Sequence, residues 1–119
     1  MLTMNDLRKI QEVFGEDYLL DQLQEECAEL IQAASKVKRQ RNDSTPVTPC
    51  EAHRKLIEEI SDVLCMIRNV EKVYLDFADR IEVNALTYDK EKRMMERTLK
   101  AEQRMKERNN KSDSAVAFE

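Results

Sequence analysis

The chain is poor in everything that interrupts a helix. Its 119 residues include one glycine, two prolines and no tryptophan, with three tyrosines and three phenylalanines. Few breakers and few aromatics, in a background of Glu, Lys, Leu and Ala, point to an all-helical soluble protein with one domain. Histidine occurs once, at His53. One histidine excludes the paired Glu-x-x-His motifs of a di-iron bundle, and with three unclustered cysteines it excludes a structural zinc site. Cys27, Cys50 and Cys65 form an odd set without paired spacing, so no disulfide framework is expected. Cys27 and Cys65 fall on apolar helix faces and are expected to be buried, reduced hydrophobes. The net charge of −4 lacks the basic excess of a generic nucleic-acid binder. No apolar run approaches the roughly 20 residues of a membrane span. The opening MLTMNDLRKIQ turns polar too early for a signal peptide, so a cytoplasmic, reducing compartment is expected.

What the chain does contain is helical periodicity. Leu7, Ile10, Val13 and Phe14 share one side of a short first helix, Asn5 to Phe14, which Gly15 ends. A second helix, Asp17 to Arg41, carries a stripe of Leu19, Leu20, Leu23, Cys27, Leu30, Ile31, Ala34 and Val37. It closes on KVKRQR, positive charge where the helix dipole favours it. The stretch NDSTPVTPCEA reads as a loop, and Thr48-Pro49-Cys50-Glu51 as a capping box with proline at the first helical position. A third helix should run from Pro49 to about Asp76, with a stripe of Leu56, Ile60, Val63, Leu64, Ile67, Val70, Val73 and Tyr74. A fourth, more charged helix should start at Phe77 or Ala78 and end near Arg108. The expected organisation is a helical domain over residues 1–108 and a disordered tail over 109–119.

Two stripes contain acids. At about 100° per residue, Glu26 falls within about 40° of Leu19, Leu30 and Val37. Glu29 lies at the edge of that stripe. On the third helix Glu59 falls between Met66 and Val70, with Asp62 at the edge. Each helix thus presents two carboxylates at i and i+3, which can reach one point. If the two helices pack antiparallel across the proline loop, all four converge. Four carboxylates in an apolar groove need compensation, and hard divalent cations such as Mg²⁺ or Mn²⁺ are the simplest source.

The segments EECAE (Glu25 to Glu29) and EISD (Glu59 to Asp62) resemble the EExxE…ExxD signature of the MazG-like all-α nucleoside triphosphate pyrophosphohydrolases. The flanks EECAELIQA and LIEEISDVL are similar too, and the resemblance covers about Gly15 to Arg97. The 29 residues between the two motifs make a long spacer. The resemblance implies a helical bundle completed by homo-oligomerisation, as a dimer or tetramer. It implies Mg²⁺-dependent cleavage of a (d)NTP to (d)NMP and pyrophosphate by attack of a metal-bound water. Glu26, Glu29, Glu59 and Asp62 would be the metal ligands, with Glu25 and Glu26 as catalytic acids or bases. Lys90, Arg93 and Arg97 on the fourth helix would hold phosphate. Gln22, Phe14 and Tyr18 would contact the base. His53 is read as incidental.

A rival reading from another class is a helical interaction module whose stripes bury a partner helix, the acids serving as specificity devices. Under either reading the wide apolar arcs of the first three helices exceed what a mostly polar fourth helix can cover, so at least a homodimer is expected.

Overall fold

The computed structural model describes residues 1–117. They form four helices and no strand: α1 (Met4–Phe14), α2 (Tyr18–Arg41), α3 (Pro49–Tyr74) and α4 (Phe77–Ala117). None of these helices is long and apolar enough to cross a membrane.

The helix ends follow local chemistry. Thr3 caps α1 in a reciprocal box: its amide donates to Asp6 Oδ2 at 2.8 Å, and the Asp6 amide donates to Thr3 Oγ1 at 3.1 Å. These bonds favour the charged carboxylate and hold Asp6 below its ordinary pKa. Gly15 ends α1 at φ 106°, a conformation L side chains rarely adopt, and its amide donates to Gln11 O. Thr48 and Glu51 form the second box, with bonds of 2.9 and 3.2 Å, and Pro49 opens α3 as expected.

The chain divides after Asp76 into two compact units. In the first, α2 and α3 pack along their length as an antiparallel pair joined by the 42–48 loop, and α1 lies against both. Leu7, Leu19, Ala33, Ala52 and Val63 form the buried apolar core. Long-range bonds tie Leu2 and the α1–α2 connection to the end of α3. Lys72 Nζ donates to Leu2 O at 2.9 Å, and the Tyr74 hydroxyl donates to Glu16 O at 2.8 Å.

The apolar stripe of α3 splits lengthwise. Val63 is buried and Leu56, Val70 and Val73 are half-buried or better, whereas Ile57, Ile60, Leu64 and Ile67 are exposed. Cys65 is exposed with them, which corrects the expectation that it is buried. The reason is geometric: α2 and the short α1 shield only part of the α3 surface, and α3 is apolar over a wider arc. On α2, Leu20, Ile31 and Ala34 are likewise exposed, while Leu23, Cys27, Leu30 and Val37 are half-buried.

The second unit is α4. It is continuous to Ala117, beyond the end near Arg108 read from the sequence. The expected tail over 109–119 is therefore helical through 117, and residues 118–119 lie outside the described residues. No glycine or proline follows Pro49, so a helix already nucleated can propagate through mediocre helix formers at small cost per residue. Bonds such as Lys106 Nζ to Glu102 Oε1, 3.2 Å, support its polar surface. The boundary between the two units falls within the residues 1–108 expected to form one helical domain.

Candidate metal centre

Antiparallel packing of α2 on α3 brings the intruding acids together. Ligand oxygens of Glu26, Glu29, Glu59 and Asp62 all lie within 4.8 Å of one another. The i and i+3 spacing on each helix puts two carboxylates on one turn, and the antiparallel pairing sets those turns face to face. Glu59 is 1% exposed, as deep as Leu7 at the centre of the core. Glu26 is half-buried, and Asp62 lies on the exposed rim.

The buried oxygens are incompletely satisfied. Lys55, one turn before Glu59 on α3, places Nζ 2.8 Å from Glu59 Oε1. Glu59 Oε2 and Glu26 Oε2 are buried and have no hydrogen-bond partner. A buried acceptor without a donor carries its full desolvation cost. These two atoms are the places where a ligand of the opposite character would be gained.

Electrostatics divides the cluster. The hydrogen bond from Lys55 is the main reason that Glu59 stays below its ordinary pKa, against the opposing effect of burial, and the nearby Lys36 charge adds to it. Glu29 is pushed up, first by the Glu26 charge, then by desolvation and by the Glu59 charge. Lys55 is raised by its bond to Glu59. The cluster thus has one acid held charged by a lysine and one biased toward its protonated form by its neighbours.

The donor set suits a hard divalent cation. All four candidates are carboxylates, the class that Mg²⁺, Ca²⁺ and Mn²⁺ prefer, and two of them have a buried oxygen free to coordinate. The all-carboxylate composition sets the cluster apart from structural zinc and di-iron sites, which draw on thiolate or imidazole.

The other residues singled out in the sequence lie around or apart from this centre. Glu25 is exposed and accepts a hydrogen bond from Gln22 Nε2 at 3.3 Å. Phe14 and Tyr18 stack on one another, with ring centroids 4.6 Å apart and planes at 22°. Lys90, Arg93 and Arg97 are exposed on α4, in the second unit. His53 is exposed near the start of α3.

Sequence reasoning misses Lys36 and Lys55. Both line a cavity of about 270 Å³ with Glu29, Gln32, Ala33 and Glu59. A signal is present, since Lys55 is four residues before Glu59 and Lys36 seven after Glu29, both same-face helical spacings.

No protein-family model, curated protein or solved structure matches this chain.

Proposed function

We propose that the chain is a Mg²⁺-dependent nucleoside triphosphate pyrophosphohydrolase of the MazG-like all-α kind, converting a (d)NTP to (d)NMP and pyrophosphate. The observation that carries this reading is the α2–α3 carboxylate cluster with two buried, unpartnered oxygens. Such a cluster is costly in a folded protein unless something uses it.

In this reading Glu26, Glu29, Glu59 and Asp62 hold Mg²⁺, for which Mn²⁺ can substitute. When bound, the ion supplies Lewis acidity toward phosphate oxygens and lowers the pKa of water. Glu26 and the exposed Glu25 next to it are the carboxylates that take up the proton of the attacking water. Gln22, by bonding Glu25, sets that carboxylate's orientation. The stacked Phe14–Tyr18 pair offers an aromatic face to a base. The resemblance assigns phosphate contacts to Lys90, Arg93 and Arg97. The exposed Ile57, Ile60, Leu64 and Ile67 on α3 suit burial against a second copy, giving a dimer or tetramer. A cytoplasmic setting, where thiols such as Cys65 stay reduced, completes the reading.

The same exposed α3 face favours a second reading, a helical interaction module that binds an amphipathic partner helix. The two readings differ in what the acids do. The deciding experiment is pyrophosphate release from a panel of (d)NTPs with and without Mg²⁺, for wild type and Glu59→Gln. Mg²⁺-dependent release that falls by about a hundredfold or more in the variant supports the enzyme. No turnover of any nucleotide by wild type, with no effect of Mg²⁺ on stability, hands the protein to the interaction-module reading.

A further inference from the structure

The cavity beside the acid cluster has two kinds of wall. Glu29 and Glu59 line it together with the ammonium-bearing side chains of Lys36 and Lys55. Ala33, 2% exposed, contributes only a methyl group to the wall. At about 270 Å³ the space admits a phosphate-sized anion with some of its water. In the metal-free state that anion would meet the negative cluster directly, and Lys55 is engaged by Glu59 at 2.8 Å.

A divalent cation changes both conditions. It brings two positive charges to the cluster, and bound at the free Glu59 Oε2 it neutralises the carboxylate and repels the Lys55 ammonium held on Oε1. The Lys55 side chain is half exposed and has a long, flexible stem, so it can swing away from Glu59 without disturbing the core. Lys36, half-buried on α2, already borders the same space.

We infer that Lys36 and Lys55 form an anion subsite for the diphosphate portion of a nucleotide, made available when a divalent cation bound at Glu59 frees Lys55. The inference rests on the metal-centre reading and is separate from the α4 cations, which it does not require. Lys55 then has two successive partners: the carboxylate in the empty centre and the anion in the loaded one. Inorganic diphosphate is retained only when metal is present.

The test is calorimetric titration of inorganic pyrophosphate, with and without Mg²⁺, into wild type, Lys36→Gln, Lys55→Gln and Lys55→Arg, alongside Mn²⁺ binding followed by electron paramagnetic resonance. Wild type is expected to bind pyrophosphate only with Mg²⁺. Each glutamine variant should weaken that binding by roughly tenfold, the scale of one charge-assisted hydrogen bond, and Lys55→Arg should retain most of it. Mn²⁺ alone should bind Lys55→Gln at least as tightly as wild type, because the ammonium charge that opposes the ion is gone. Normal Mn²⁺ binding with pyrophosphate affinity unchanged in both glutamine variants, or with no pyrophosphate binding to wild type, overturns the subsite and leaves the metal centre standing. Absence of Mn²⁺ binding to wild type at millimolar concentration overturns both.

Discussion

Lys55 Nζ lies 2.8 Å from Glu59 Oε1, while Oε2 of the same carboxylate is buried without a partner. Half of a buried charge is therefore answered from within its own helix and half is left open beside Glu26, Glu29 and Asp62. A purely structural ion pair gains most when every buried oxygen is satisfied, and one that leaves an oxygen bare gives up part of that gain. The arrangement makes sense for a carboxylate with a second partner to accept.

The first prediction follows from mass action. A ligand that binds only the folded state raises its stability by about 2.7 kcal/mol at a hundred times its dissociation constant. Millimolar Mn²⁺ or Mg²⁺ should raise the thermal midpoint of wild type reversibly, with EDTA restoring the lower value. Asp62→Asn removes a rim ligand without touching the core and should shrink the shift, and Glu59→Gln should abolish it. Differential scanning calorimetry checks this, and an identical metal-induced shift in Glu59→Gln would remove Glu59 from the ligand set.

A second prediction concerns pH in the absence of metal. Glu29 has its folded pKa raised by Glu26, burial and Glu59, so folding favours its protonated form. Its contribution is fully favourable below the ordinary carboxylate pKa and is lost as pH rises through the raised value. Glu59 behaves oppositely: its folded pKa is depressed, so its contribution is present above the ordinary pKa and lost as pH falls through the depressed one. Glu29→Gln mimics the protonated acid. In EDTA it should be more stable than wild type at pH 7, and the two should converge as pH falls toward about 4, the ordinary range for a glutamate. Urea denaturation across that range reads the difference. A gap that does not change with pH would mean that Glu29 does not feel its neighbours. Saturating Mg²⁺ should reverse the ranking at pH 7, because glutamine is the poorer ligand.

Much of this centre is legible in the sequence. The wheel position of Glu59, between Met66 and Val70, places it inside the α3 stripe, and it is the most buried charged residue described. Thr48, Pro49 and Glu51 mark the start of α3 because a capping box is a local device, settled by four consecutive residues. The uncovered face is harder to read. Ile60, Leu64 and Ile67 have much the same hydropathy as Leu56, Val63 and Val70, and the tertiary placement of α1 and α2 decides which set is shielded. The partner of Glu59 is hidden for a different reason. In a chain with 20 basic and 24 acidic residues, same-face charge pairs are common, and the four-residue spacing that marks Lys55 equally marks Arg54, which pairs with Glu58 at the surface.

The third prediction isolates that local device. Thr48 Oγ1 accepts from the Glu51 amide at 3.2 Å, and Glu51 Oε2 accepts from the Thr48 amide at 2.9 Å. Thr48→Ala should cost about 1 kcal/mol of unfolding free energy. It should leave Mn²⁺ affinity unchanged, because Glu59 lies about three turns further along α3. Denaturant unfolding and a metal titration on the same variant test both halves. Weakened metal binding would mean that the entry of α3 and the acid cluster move as one unit.

The last prediction addresses the exposed face of α3. Ile57, Ile60, Leu64 and Ile67 are 44, 42, 46 and 38% exposed, and the first three line a groove of about 620 Å³ with Met1 and Leu2. Contiguous apolar surface on a small helical unit favours association, since each residue withdrawn from water contributes on the scale of about 25 cal/mol per Å². If a second copy covers this face, wild type should sediment as a dimer or larger species. Ile60→Glu combined with Leu64→Glu should give a folded monomer, since both positions face solvent in the single chain and neither change disturbs the α2–α3 core. The α2–α3 cluster lies within one chain, so its Mn²⁺ affinity should survive dissociation. Sedimentation velocity with a parallel Mn²⁺ titration distinguishes the outcomes. A wild type that is monomeric at high micromolar concentration would assign the groove to a different protein and favour the interaction-module reading. A double variant that stays oligomeric would move the interface to other exposed apolar positions, of which Val13 and Phe14 on α1 are the most exposed in the first unit after Met1 and Ile31.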